Sequence, residues 1–122
     1  MILVDTSVWV QHFQEGVPAL SDALEDGEVV MHPFVLGELA CGNLRQRREA
    51  LDLLGQLPAL PPASDREALA LIEWRKLMGR GIGYVDVHLL AAVLLESTVR
   101  IWTLDRRLSQ VATDLVLAYT PG

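Results

Sequence analysis

"MILVDTSVWV" (residues 1–10) sets three apolar residues before Asp5, Thr6 and Ser7, and then turns apolar again. "ILVD" (2–5) reads as a short buried strand and "TSVWVQHF" (6–13) as the helix leaving it. The plain reading of Asp5 or Thr6 is a helix cap, because a side-chain oxygen there satisfies a free backbone N–H. A carboxylate at the end of a buried strand also stands where open parallel sheets bind ligands. The acids further along the chain bear on the choice.

Working outward, "PALSDALEDG" (18–27) and "PFVLGELACG" (33–42) each begin with proline and end with glycine, the usual asymmetry of a helix. Between them "EVVMH" (28–32) is a strand candidate, and "RQRREALDLLGQL" (45–57) continues helical. "LPALPP" (57–62) carries too much proline for a helix and suits an edge strand or a loop. "SDREALALIEWRKLMGRG" (64–81) predicts a helix with Ser64 or Asp65 as cap, stopped by Gly79 and Gly81. "YVDVHLLAAVLLES" (84–97) predicts a buried helix with Asp86 in its first turn. "VRIWTLD" (99–105) predicts a strand ending in an acid, followed by a short helix and a last strand at "LVLAY" (115–119). Strands alternate with helices and no hairpin signal occurs, which implies a parallel sheet covered on both faces.

The 122 residues make one domain, 1–122, long enough to bury a core without disulfides. Cys41 stands alone, which excludes an internal disulfide and a thiolate metal cluster, and its apolar neighbours suggest a buried thiol. The longest apolar run, "LLAAVLL" (89–95), is too short to span a bilayer, and the N-terminus has no signal-peptide pattern. A cytoplasmic protein without membrane contact is expected. Ten Lys+Arg against sixteen Asp+Glu give a formal charge of −6, so nucleic acid is not held by bulk electrostatics. Local charge differs: Arg45, Arg47 and Arg48 cluster just after the helix that carries Glu38, either as a solvated face or as a group that can hold a ligand's phosphates.

Asp5 and Asp105 each end a strand, while Glu38 and Asp86 each lie on a helix within reach of a strand's carboxyl end. Four carboxylates there repel: a pair ~4 Å apart costs on the order of 4 kcal/mol at an effective dielectric of 20. A divalent cation is the simplest remedy, and oxygen donors without thiolates suit Mg²⁺ or Mn²⁺. Such a site acidifies water and stabilises the leaving oxygen of an in-line displacement at phosphorus, the chemistry of phosphodiester hydrolysis.

"MILVDTSVWV", "HPFVLGELACG", "GIGYVDVHLLAAVLL" and "IWTLDRRLSQVA", in this order, resemble the PIN-domain ribonucleases, and among them the VapC toxins of type II toxin–antitoxin pairs. The resemblance covers essentially the whole chain. It implies a five-stranded parallel sheet between helices, often in a homodimer, and Mg²⁺- or Mn²⁺-dependent endonucleolytic cleavage of RNA to a 5′-phosphate and a 3′-hydroxyl. It makes Asp5, Glu38, Asp86 and Asp105 the metal site, with Ser7 hydrogen-bonded within it and Thr103 as the threonine before the last acid. It also implies a cognate VapB-type antitoxin, whose basic segment a charge of −6 would accept. Two positions depart from the pattern. Arg107 and Leu108 replace the acid and phenylalanine that many relatives carry after the last acid, and His88 replaces an apolar residue.

Two other classes gather acids or keep the fold. A phosphoacceptor signalling domain begins with paired acids and needs a lysine after a late strand, whereas here Asp5 stands alone and Arg106 and Arg107 follow Asp105. A non-catalytic binding module of the same fold has no need of all four acids. His12, His32 and His88 lack metal-ligand spacing, and Trp9, Trp74 and Trp102 are expected in the core.

Overall fold

In the computed structural model, which describes residues 1–122, strand β1 (Ile2–Val4) runs through the centre of the molecule. Its three side chains are all buried, so a continuous apolar run makes a strand covered on both faces. It pairs in parallel with β2 (Val29–Val30) on one side and with β3 (Arg100–Trp102) on the other, giving the order β2-β1-β3. The chain therefore leaves β1 first toward one edge and returns later to the opposite one, and the carboxyl end of β1 is the point where strand order reverses.

The sheet has three strands, not the five expected. At one edge Met31 bridges Ala59, and at the other Ile101 bridges Ala118, both parallel and each a single pair. The segment around Ala59 is flanked by Pro58, Pro61 and Pro62, which donate no ladder hydrogen bond. Before Ala118 the backbone turns through Val116 at φ 61°, which leaves too little extended chain for a strand.

Seven helices enclose the sheet: α1 (Thr6–Glu15), α2 (Pro18–Glu25), α3 (Pro33–Ala40), α4 (Arg47–Gly55), α5 (Asp65–Arg75), α6 (Tyr84–Leu94) and α7 (Arg106–Asp114). Proline opens α2 and α3 as expected. The helix expected over 64–81 ends at Arg75, where Lys76 takes the left-handed conformation at φ 55°, well before the glycine pair. All residues from Val87 to Val93 of α6 are buried. No helix is long and apolar enough to cross a membrane. Two core expectations are corrected. Trp74 is 69% exposed, with the Arg75 guanidinium over its ring at 5.4 Å, and Cys41 is exposed just beyond the last turn of α3.

Candidate active site

Asp5 immediately follows β1 and is 7% exposed. It occupies the capping position of α1, yet its side chain caps nothing. Its Oδ2 instead accepts the Ser7 hydroxyl at 2.8 Å and the Thr103 hydroxyl at 2.7 Å. Each hydroxyl is fixed in turn by a backbone amide: Leu104 N–H donates to Ser7 Oγ and Asp105 N–H to Thr103 Oγ1, both at 3.0 Å. With both hydroxyl protons committed to Asp5, the 3.3 Å separation of Ser7 Oγ and Thr103 Oγ1 is a contact between oxygens rather than a further bond. The network orients one carboxylate rigidly across the ends of β1 and β3.

The other acids are also held by one oxygen each. Thr6 Oγ1 donates to Glu38 Oε1 at 2.7 Å, which ties α1 to the middle of α3. Gly83 N–H donates to Asp86 Oδ2 at 3.1 Å in the first turn of α6. Leu108 N–H donates to Asp105 Oδ1 at 2.9 Å, so Asp105 caps α7 in the way the plain reading assigned to Asp5. The remaining oxygens, Asp5 Oδ1, Glu38 Oε2, Asp86 Oδ1 and Asp105 Oδ2, keep their lone pairs. Thr6 has no place in this set from sequence beyond a possible cap; its position between Asp5 and Ser7 was the available signal.

The electrostatics agree with convergence. Burial is the largest influence on Asp86 and pushes its carboxyl above the usual range; the Gly83 N–H opposes this, and the charges of Asp5, Asp105 and Glu38 add to it. No lysine or arginine relieves the repulsion, since the ion pairs of the chain are Arg80 with Asp114 and His88 with Asp65. No three acidic or histidine side chains are drawn together as a ready-made metal cage.

Chemically the donor set fits a hard divalent ion: four carboxylates, each with a free oxygen, no thiolate, and no competing cation. The arginines are distributed differently. Arg47 donates from its guanidinium to the carbonyls of Ala40 and Gly42, closing the carboxyl end of α3. Arg45 lines an apolar cleft of about 480 Å³ with Trp9, Phe13, Leu24 and Leu53, between α1, α2 and α4. Arg48 is exposed on α4.

Two buried imidazoles, His32 before α3 and His88 on α6, each meet the Phe34 ring edge-on. His32 is fully buried and caps α3 with its Nδ1, which accepts the Phe34 N–H at 3.0 Å. Burial, and then the neighbouring His88, lower its pKa to about 4, so it is neutral. His88 reaches Asp65 Oδ1 through Nε2 at 2.9 Å.

A central parallel strand, an acid at the switch point and three more acids from the flanking elements define a PIN fold, and the PIN domain family model matches residues 2–114. The chain belongs to the PIN domain family. It is 44% identical over 114 residues to Ribonuclease VapC32 of Mycobacterium tuberculosis strain CDC 1551 / Oshkosh, covering 93% of this chain and 92% of that one. The same figures hold for Ribonuclease VapC32 of strain ATCC 25618 / H37Rv, and the chain is accordingly a PIN-domain protein of the VapC type.

Proposed function

We propose that this chain is the toxin of a type II toxin–antitoxin pair, an endoribonuclease that uses Mg²⁺ or Mn²⁺ held by Asp5, Glu38, Asp86 and Asp105. The observation that carries the reading is the placement of the four acids: Asp5 and Asp105 at the ends of β1 and β3, Glu38 on α3 and Asp86 in the first turn of α6, each held through one oxygen and none paired with a cation. Asp5, Glu38, Asp86 and Asp105 would hold such an ion, which would offset their charges and supply an acidified water for attack at phosphorus. Hydrolysis then forms a bond from the water oxygen to phosphorus and breaks the bond to the 3′ oxygen, leaving a 5′-phosphate and a 3′-hydroxyl.

The protein's own part is positional. Ser7 and Thr103 hold Asp5 in one orientation, Thr6 holds Glu38, and the amides of Gly83 and Leu108 hold Asp86 and Asp105. Pre-set carboxylates avoid reorganisation during the reaction, which is how such sites lower the barrier. Arg45 and Arg48 are assigned to RNA phosphates. Arg47, engaged with the α3 carbonyls, contributes by fixing the segment between them. Charge reversal at Arg48 is expected to weaken RNA binding and to flatten its salt dependence.

A VapB-type antitoxin with a basic segment is the proposed partner, in keeping with the names of the VapC32 relatives and with the net charge of −6. A homodimer and a cytoplasmic location complete the proposal, and sedimentation of the purified chain tests the former. The test of function is sequencing of RNA 5′-phosphate ends in cells briefly induced for the wild type and for Glu38→Gln. Discrete ends made only by the wild type support the nuclease. Identical ends in both overturn it.

A further inference from the structure

Asp65 opens α5 yet takes no part in capping it. Ser64 Oγ already accepts the Glu67 N–H at 3.1 Å, and Glu67 Oε1 accepts the Ser64 N–H at 2.9 Å, a complete capping box. The Asp65 carboxylate crosses instead to α6, where its Oδ1 accepts the Tyr84 hydroxyl at 2.7 Å and the His88 Nε2–H at 2.9 Å. Those bonds, Tyr84's first, hold the Asp65 carboxyl below its ordinary range.

Tyr84 and His88 lie one turn apart on one face of α6, and Asp86 lies between them in sequence, roughly 200° around the helix from Tyr84. The clasp and the acid thus occupy opposite faces of the same first turn. His88 is 3% exposed and packs edge-on against Tyr84 at 4.7 Å and Phe34 at 5.1 Å. The Phe34 ring also meets His32 at 5.1 Å, so the contact continues to α3, the helix of Glu38. The charges of Asp5, Asp105 and Glu38 act on the Asp86 carboxyl from its own face of the turn. On the opposite face Asp65 bonds Tyr84 and His88 to the start of α5, which fixes how that turn is seated.

We propose that Asp65 is a positioning residue: through Tyr84 and His88 it fixes the first turn of α6 and sets where the Asp86 carboxylate stands among the other three acids. The inference rests on the metal-site reading of those acids. It is tested with Asp65→Ala and Asp65→Asn in the full chain. Three quantities are read: Mn²⁺ binding by calorimetry without RNA, kcat and KM for RNA cleavage, and the Gly83 amide resonance, which reports the bond to Asp86.

In Asp65→Ala the Mn²⁺ Kd is expected to rise roughly tenfold, as when other outer contacts to ligating groups are removed. The kcat falls with KM unchanged, and the Gly83 resonance moves. Asp65→Asn keeps an oxygen that accepts both bonds, and restores all three quantities. An unchanged Gly83 resonance and Mn²⁺ Kd in Asp65→Ala overturn the proposal, as does an Asn variant no better than Ala. If Asp65→Ala fails to fold, Tyr84→Phe, which removes one arm of the clasp, is read in the same way. A wild type that binds no Mn²⁺ overturns the metal reading alone, and the Gly83 resonance then decides whether the clasp positions Asp86.

Discussion

The Thr103 hydroxyl donates to the Asp5 carboxylate across 2.7 Å, joining the ends of β3 and β1 at the point where the order of the sheet reverses. Ser7 meets the same oxygen, so two donors share one acceptor. Thr103→Val preserves shape and removes one donor, leaving the Asp105 amide without its acceptor as well. A loss of about 2 kcal/mol in urea unfolding is expected, since hydrogen bonds to charged groups contribute more than neutral ones. RNA cleavage should fall at least about tenfold. Thr103→Val combined with Ser7→Ala should cost less than the sum of the single changes, because both act on one carboxylate.

Asp86→Asn removes a charge that burial and three acidic neighbours all oppose. A carboxyl whose folded pKa lies above its unfolded value loses its contribution to stability as pH rises through that range, so at neutral pH the ionised group is a net cost. With EDTA present, the variant should be more stable than wild type. With Mn²⁺ the order should reverse, because only an intact site gains stability from the ion. Thermal melts of both proteins in both buffers check the sign.

His32 produces the opposite dependence on pH. Its folded pKa of about 4 lies below the ordinary imidazole value of 6.5, so between these pH values the unfolded chain takes up a proton that the folded one refuses. Stability therefore falls as pH drops through this window, by up to about 3 kcal/mol for a fully buried imidazole. His88 is the titratable group that faces it. His32→Asn keeps a capping acceptor without a titrating ring, and should lower stability at pH 7 while flattening the loss between pH 6.5 and 4. Urea midpoints across that range measure the slope.

Gly81 sits at φ +82°, and a Cβ placed there would come within 2.5 Å of Arg107 Nη1. Gly81→Ala should cost about 1–2 kcal/mol, part of it backbone strain and part the displaced guanidinium. Arg107→Ala in the same chain should recover the second part only, and a double-mutant cycle in urea separates the two. Arg107 is one of the positions that departs from the family pattern, and its packing across Gly81 gives it a structural use.

The parts of the fold that depend on neighbours in sequence were legible in it. β1 and its terminal acid, the proline-led helices and the Ser64 cap all rest on local patterns, and all are present. The sheet edges were not, because whether a short apolar stretch becomes a strand depends on its partner's backbone, and Pro58 and Val116 interrupt theirs. The placement of Trp74 failed for a related reason: an aromatic residue on a helix is buried only on the face that packs. Within the candidate site, order and flanks singled out the four acids, and the structure adds which oxygen of each is held. Thr6, and the clasp of Asp65 on Tyr84 and His88, could not be read in this way, since their partners lie 32, 19 and 23 residues away. Arg47 looked free because nothing in its charge shows that two carbonyls of the preceding helix end await it.

The separation of 98 positions between Asp5 and Thr103 also bears on how the molecule is made. A chain emerging from the ribosome presents Asp5 almost at once, but the hydroxyl that orients it is synthesised only after most of the domain. Closing so long a loop carries an entropic cost that the packing of β3 against β1 must offset. Throughout nearly all of its synthesis the polypeptide holds the first acid without the frame that aims it. A nascent copy therefore lacks the Thr103 bond to Asp5 until β3 docks, and the oriented carboxylate arrives in one late step.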